Sequence, residues 1–320
     1  MTIEEFLEEW NNSSDRVPVH TSGSTGEPKP MLVEKRRMEA SARITCGFLG
    51  LKKGDTALLC MSLDYIAGKM MVVRALTCGL RLLTVEPCGC PSWSGDVDFA
   101  AMVPMQVYNL LQTAEGRERL MAVRHLIIGG GAIDDGLAAA LKDFPNAVWS
   151  TYGMTETLSH IALRRLNGQA ASDWYTPFEG VSLSLTDEGC LVIDAPAVHD
   201  GLLVTNDIAE FQPGGRLFRI LGRKDNTICS GGIKIQTEEV ERLLRTHLRE
   251  PYLISKRPDS KFGEAVVLLT ESTDVEAVKA VCREVLPKFW QPRYYVHVSR
   301  IPLTATGKPS RKEAERLAAE

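Results

Sequence analysis

No stretch of this 320-residue chain stays apolar for the roughly 20 positions a helix needs to cross a bilayer, so no membrane-spanning helix is expected. The first six residues, Met1-Thr2-Ile3-Glu4-Glu5-Phe6, are acidic and carry no secretory signal core. Excess positive charge is also missing: the net charge is -4, which disfavours nucleic acid and anionic membrane as partners. Cysteine occurs eight times but scattered, with Cys88-Gly89-Cys90 the one close pair. No second pair completes a zinc site, and the pattern predicts reduced thiols in a cytosolic protein. There is no internal repeat and no low-complexity tail. What remains is an ordinary globular composition, 44% apolar and 24% charged, in a chain long enough for one large domain and a smaller one.

Against this background one stretch stands out, His20-Thr21-Ser22-Gly23-Ser24-Thr25-Gly26-Glu27-Pro28-Lys29-Pro30, directly after the apolar pair Val17 and Val19. Glycines let the backbone turn its N–H groups inward as a nest of donors for an anion. The hydroxyls add donors, and Lys29 adds a cation suited to phosphate. A Ser/Gly surface turn is the competing reading. A Walker-type loop is excluded, because Pro28 follows Gly23 by five residues and no Ser or Thr follows the lysine.

Downstream the chain alternates buried strands with helices. Met38 to Leu49 reads as a helix stopped by Gly50, 57–61 as a strand, and Ile66 to Leu76 as a helix ended near Gly79. Strands follow at 80–85, 98–103, 125–128 and 147–150, with a helix from Pro104 and another capped by Asp134. Continuous apolar strands alternating with helices predict a parallel α/β sheet. Ligands in such sheets sit beyond the carboxyl ends of the strands, where this reading puts 21–30, 129–132 and 151–157.

From about Val181 the pattern changes to short alternating strands at 181–185, 190–193, 201–204 and 216–220, which predicts a small antiparallel sheet or distorted barrel. After Gly222-Arg223-Lys224-Asp225 comes a compact set: a helix capped by Thr237, strands at 265–269 and 294–298, and a last helix capped by Ser310. Residues 224–320 carry 17 Lys and Arg against 14 Asp and Glu, a net +3, which leaves -7 for residues 1–223. The expected organisation is a large domain over 1–223, with 181–223 as a β subdomain, and a small mobile α+β domain over 224–320.

The loop Thr21-Ser22-Gly23-Ser24-Thr25-Gly26-Glu27-Pro28-Lys29 resembles the phosphate loop of the adenylate-forming superfamily of acyl-CoA synthetases, adenylation domains and luciferases. Four further motifs follow in that superfamily's order: Tyr152-Gly153-Met154-Thr155-Glu156, Thr205-Asn206-Asp207, Gly222-Arg223-Lys224-Asp225 and Thr306-Gly307-Lys308. The resemblance covers the chain from residue 17. It implies attack of a carboxylate on the α-phosphorus of ATP, with Mg²⁺, and transfer of the acyl group from the adenylate to coenzyme A. It also implies residue roles. Thr21 to Gly26 and Lys29 would hold the β- and γ-phosphates, Glu156 would bind Mg²⁺, and Thr155 would donate to the α-phosphate. Adenine would lie on Gly129-Gly130-Gly131-Ala132 with Tyr152 on its other face, and the ribose hydroxyls would meet Asp207, aided by Arg223. Lys308 would bridge the acyl carboxylate and α-phosphate. Asp225 would be the hinge that withdraws Lys308 and brings Ser230-Gly231-Gly232 to the coenzyme A channel, Gly231 leaving room for the thiol arm.

Met61-Ser62-Leu63-Asp64-Tyr65-Ile66-Ala67-Gly68 resembles a segment that normally carries His where Tyr65 stands, and both Tyr65 and Arg74 are candidates to meet the acid. Arg74, six residues past Gly68, is at a position where 2-succinylbenzoate–CoA ligases of menaquinone biosynthesis can carry an arginine toward the second carboxylate; a helix-surface arginine is the competing reading. The run Tyr152 to His160 also looks most like those ligases. Two departures stand out: Pro30 replaces a glycine, and only about twenty residues precede the loop, where full-length relatives carry a further subdomain. Part of the acyl-pocket wall is then expected to be absent or supplied by a partner subunit, as in a homodimer. An enzyme for another aryl acid, one that loads a carrier protein, and an inactive nucleotide-binding homologue remain open from sequence.

Overall fold

The computed structural model describes residues 1–20, 30–131, 133–304 and 309–320, so the phosphate-loop residues Thr21 to Lys29, Ala132 and Lys308 lie outside the described residues. Backbone contacts divide the chain into two units. The first contains Met1–Ser184, Val192–Leu203 and Phe211–Arg219; the second contains Leu185–Leu191, Val204–Glu210 and Ile220–Glu320.

The first unit begins with α1 (Ile3–Asn11), β1 (Arg16–His20), β2 (Pro30–Glu34), α2 (Lys35–Leu49), β3 (Thr56–Leu59), α3 (Ile66–Cys78), β4 (Arg81–Thr84) and β5 (Phe99–Met102). It continues with α4 (Pro104–Leu111), α5 (Ala114–Ala122), β6 (His125–Ile128), α6 (Asp135–Leu141), β7 (Ala147–Gly153), β8 (His160–Arg165) and β9 (Thr176–Pro177). Local chemistry sets several ends: Gly50 and Gly79 close α2 and α3 in the left-handed region that spares glycine a Cβ clash, and Asp134 accepts from the Leu137 N–H to start α6.

The main sheet has the order β4-β3-β5-β6-β7-β8-β9. Its first five strands are parallel, as the buried apolar runs predict. The last two, β8 and β9, add an antiparallel edge to this expected parallel sheet. The cause is the tight turn after β7, which has no crossover helix and so returns the chain beside the strand it has just left. One sheet face packs Leu58, Met102, Leu126 and Ile128 against Val107 and Leu110 of α4 and Leu120 of α5. The other carries α3, whose residues Gly68 to Ala75 are all buried. Even Lys69 is buried there, donating to Glu9 of α1 at 3.1 Å and to the Pro18 carbonyl at 2.9 Å.

Next come β10 (Ser182–Leu185), β11 (Cys190–Asp194), β12 (Leu202–Phe211) and β13 (Phe218–Arg223). They form one four-stranded sheet in that order, and each strand is divided between the two units. The Thr205-Asn206-Asp207 motif sits inside the ten-residue β12.

The second unit continues with β14 (Thr227–Ser230), β15 (Ile233–Gln236), α7 (Thr237–Leu244), β16 (Tyr252–Asp259), β17 (Gly263–Thr270), α8 (Val275–Val285), β18 (Tyr294–His297) and α9 (Arg311–Ala319). Its sheet runs β15-β14-β17-β16, with β18 parallel to β17. The apolar faces of α7 and α8 cover Ile228, Ile254, Val266 and Leu268. Arg311 pins α9 to α7 through a two-pronged bond to Glu241, at 2.7 and 2.9 Å, and to β16 through the Ile254 carbonyl at 2.8 Å. Two expected caps differ. Gln236, in extended backbone, takes the N-cap of α7 while Thr237 is its first helical residue and donates to Glu238; Ser310 occupies the N-cap of α9 but its hydroxyl makes no capping bond.

Gly153, where β7 and β8 shift register, shows how tight the turn is. A Cβ there would lie 2.3 Å from the Ser159 carbonyl oxygen and 2.4 Å from His160 Cα, both backbone atoms that cannot swing aside. Gly153→Ala is expected to destabilise the protein by about 1–3 kcal/mol, read from the midpoint of urea unfolding. An unchanged midpoint would contradict this close approach.

Candidate active site

Helix α3 passes under the sheet with an arginine at its most enclosed point. Arg74 is 2% exposed and makes no ion pair among the described residues. Nη2 donates to Ser159 Oγ at 2.6 Å, and Nη1 meets only the weak acceptor Met71 Sδ, at 3.7 Å. Nε is buried with no partner, and the guanidinium carbon lies 5.8 Å from the centre of the Phe99 ring. Burial lowers the pKa of this side chain to about 10, still far above neutral pH, so Arg74 is a full cation. The competing surface reading of Arg74 is therefore excluded. An unpaired charge so buried costs several kcal/mol, which folding tolerates where function requires it.

The turn that meets Arg74 is itself strained. After β7 the chain makes a single 3₁₀ turn at Thr155–Thr157, and Leu158 follows at φ 66, a left-handed conformation that an apolar side chain rarely adopts. The turn is held by Thr157, whose hydroxyl accepts from the Met154 N–H at 3.1 Å and lies 2.8 Å from the Ser159 carbonyl. This geometry presents Ser159 to Arg74 and starts β8 at the buried His160. Burial, with Arg74 nearby, pushes the His160 pKa well below its ordinary value, so the ring is neutral. His160 also lines a shallow, open cleft with Ser41, Ile44, Phe178, Glu179 and Val198. Beside Arg74, burial and the neighbouring Cys78 push the Cys46 thiol up to about 12, so it offers no thiolate as counter-ion.

In the same turn Thr155 is buried, and Glu156 is half-buried with a carboxylate that makes no ion pair among the described residues. The backbone of this acid is fixed, since its carbonyl accepts from His199 Nδ1 at 3.2 Å. A fixed hard-oxygen donor that is not already spent on a cation fits Mg²⁺. Strand β6 leads into Gly129-Gly130-Gly131, where a Cβ on Gly129 would lie 2.3 Å from Thr151 Oγ1 and Gly130 has φ 77. Tyr152 is buried in an aromatic group, its ring centre 5.9 Å from that of Tyr175 and 5.3 Å from that of Phe218.

In the second unit Arg223 donates to Asp207 at 3.3 Å and to Asp225 at 3.0 Å, so these three motif residues come together. Asn206 adds a bond to Asp225 at 3.3 Å, and the Thr205 hydroxyl receives the Asp207 N–H at 3.1 Å. Gly231 and Gly232, both at positive φ, form the two-residue turn joining β14 to β15. Tyr65 is not brought to Arg74: it is 53% exposed at the start of α3, and nine residues of helix separate the two by about 13 Å along the axis. Sequence reading missed Ser159 as the partner of Arg74, and His160 and Thr45 as the residues behind it. The signal available was a Ser-His pair directly after the Thr155-Glu156 motif.

Comparison with known proteins agrees with this architecture. The family model described as AMP-binding enzyme matches residues 10–199. The 2-succinylbenzoate–CoA ligase of Bacillus cereus is 25% identical, over 98% of this chain and 72% of its own length. The acyl-CoA synthetase (AMP-forming)/AMP-acid ligase II-like protein from Dyadobacter fermentans is 32% identical, with a TM-score of 0.66 over 97% of this chain and 91% of that one. The fold is also similar to that of the O-succinylbenzoate coenzyme A synthetase from Bacillus subtilis in complex with ATP and magnesium ion, with a TM-score of 0.74 at 22% identity over 92% of this chain and 69% of that one. The chain belongs to the AMP-binding enzyme family, and by class it is an adenylate-forming acid–CoA ligase.

Proposed function

We propose that this enzyme activates 2-succinylbenzoate with ATP and passes the acyl group to coenzyme A. The observation that carries the choice of acid is Arg74, a buried cation that no carboxylate of the described residues neutralises. A mono-acid would leave that charge unpaired, whereas a dicarboxylate offers one group for activation and a second for the guanidinium. The names of the curated relatives support the same reading.

The proposed chemistry has two steps. An oxygen of the substrate's reacting carboxylate attacks the α-phosphorus of ATP and pyrophosphate leaves; the coenzyme A sulfur then attacks the acyl carbonyl and AMP leaves. Positioning and charge neutralisation carry most of the catalysis in such transfers. Thr21 to Gly26 and Lys29 would hold the outer phosphates, and Thr155 would donate to the α-phosphate. Mg²⁺ held by Glu156 would offset phosphate charge. The glycine strip and Tyr152 would receive adenine, and Asp207, braced by Arg223, would accept from the ribose hydroxyls. Lys308 would stabilise the charge developing between carboxylate and phosphate. Rotation of residues 224–320 about Asp225 would then exchange Lys308 for the Gly231 turn before thiol attack.

Two measurements test this reading. In a pyrophosphate-release assay over aryl and dicarboxylic acids, 2-succinylbenzoate should give turnover and coenzyme A should yield the thioester without any carrier protein. Arg74→Gln should lower kcat/KM for that acid by about 10- to 100-fold, the range expected for hydrogen bonds between charged groups. Turnover with benzoates but none with 2-succinylbenzoate would overturn the choice of acid. Separately, Lys308→Ala should abolish adenylation yet still pass a synthetic acyl-adenylate to coenzyme A. Equal loss of both half-reactions would refute the proposed role of Lys308.

A further inference from the structure

Three side chains run in a line away from Arg74 and end on a backbone carbonyl. Ser159 Oγ lies 2.6 Å from Arg74 Nη2 and 3.2 Å from His160 Nδ1. His160 Nε2 lies 3.2 Å from Thr45 Oγ1, which lies 3.1 Å from the Ser41 carbonyl oxygen on the previous turn of α2. The two ends fix the direction of every proton. A guanidinium can only donate and a carbonyl oxygen can only accept. Between them Ser159, a neutral His160 and Thr45 each offer one proton to give and one acceptor to fill. If the imidazole proton sat on Nδ1, Ser159 would face two donors, Arg74 and His160, and its own proton would have no acceptor in the line. Every proton is satisfied only if Arg74 donates to Ser159, Ser159 to His160 Nδ1, His160 Nε2–H to Thr45, and Thr45 to Ser41. The neutral state of the buried ring agrees with this order.

We infer that His160 is a positioning residue for acid recognition: by accepting the Ser159 proton at Nδ1 it turns the Ser159 lone pair toward Arg74 and fixes the guanidinium with Nε and Nη1 available to the substrate's second carboxylate. This rests on the proposal that Arg74 receives that carboxylate. Without an acceptor at position 160 the Ser159 hydroxyl can rotate its proton toward Arg74, which repels the cation and releases it from one orientation. Thr45 contributes by setting the tautomer, and the Ser41 carbonyl anchors the line to helix backbone. His160 need not touch the substrate to affect which acid is chosen.

The test compares kcat/KM for 2-succinylbenzoate with that for 4-oxo-4-phenylbutanoate, which lacks the aromatic carboxylate. Wild-type enzyme should prefer the dicarboxylate, and Arg74→Gln should remove the preference. His160→Leu should reduce it by about tenfold, in line with one hydrogen bond of a charged group, with the change in KM rather than kcat. His160→Asn, which keeps an acceptor near the Nδ1 position, should recover part of it. Ser159→Ala breaks the same line at a smaller residue and should match His160→Leu, which keeps the test decisive if the leucine variant does not fold. Adding His160→Leu to Arg74→Gln should lower the preference no further. Retention of the wild-type preference by folded His160→Leu or Ser159→Ala, while Arg74→Gln loses it, would overturn this role. Absence of any preference in wild type would instead overturn the dicarboxylate reading beneath it.

Discussion

An arginine buried on a nearly all-apolar helix, with no carboxylate of the described residues paired to it, is the constraint on which the rest of the site depends. Arg74 cannot leave its position without moving α3, which is held from one side by the sheet and from the other by Lys69 and its bonds to Glu9 and Pro18. Its one strong partner, Ser159, comes from a turn that only a glycine at 153 and a left-handed Leu158 allow. The strain at Leu158 and the charge at Arg74, which no carboxylate of the described residues compensates, both oppose stability, and Ser159, the residue after Leu158, is what Arg74 holds. Their coincidence marks the place where the fold gives up stability for recognition.

The fold was legible where hydrophobic runs were long and capped. The helix ended by Gly50, the helix ended by Gly79 and the strand rhythm through residue 150 follow from patterns visible in the chain. The reversal at β8 was not visible, because His160-Ile161-Ala162-Leu163 reads like any buried strand and its direction is set by the turn before it. Likewise β14, β15 and β16 were missed because short two-sided strands give weak periodicity and tertiary packing decides them.

The site divides along similar lines. The pairing of Arg223 with Asp207 and Asp225 joins two motifs that sequence order alone could suggest only by resemblance. Arg74 was a candidate by its spacing from Gly68, but an arginine eight residues into a helix carries no sequence mark of burial. Ser159 and His160 are neighbours in the chain, but Thr45 reaches them from α2 across 115 residues of sequence, and no local pattern encodes that contact. Tyr65, a candidate by its place in a resembling segment, stands at the exposed start of α3 and away from Arg74.

The central claim is that Arg74 is kept for an anion and not for the fold. Urea unfolding of wild type and Arg74→Met, with and without 2-succinylbenzoate in the presence of a non-hydrolysable ATP analogue, tests this most directly. Replacing an unpaired buried cation by an apolar side chain of similar length should leave the ligand-free protein as stable as wild type or more so, by up to about 3 kcal/mol. The acid should then stabilise wild type and not the variant. Loss of stability in ligand-free Arg74→Met, with equal stabilisation of both proteins by the acid, would contradict the account.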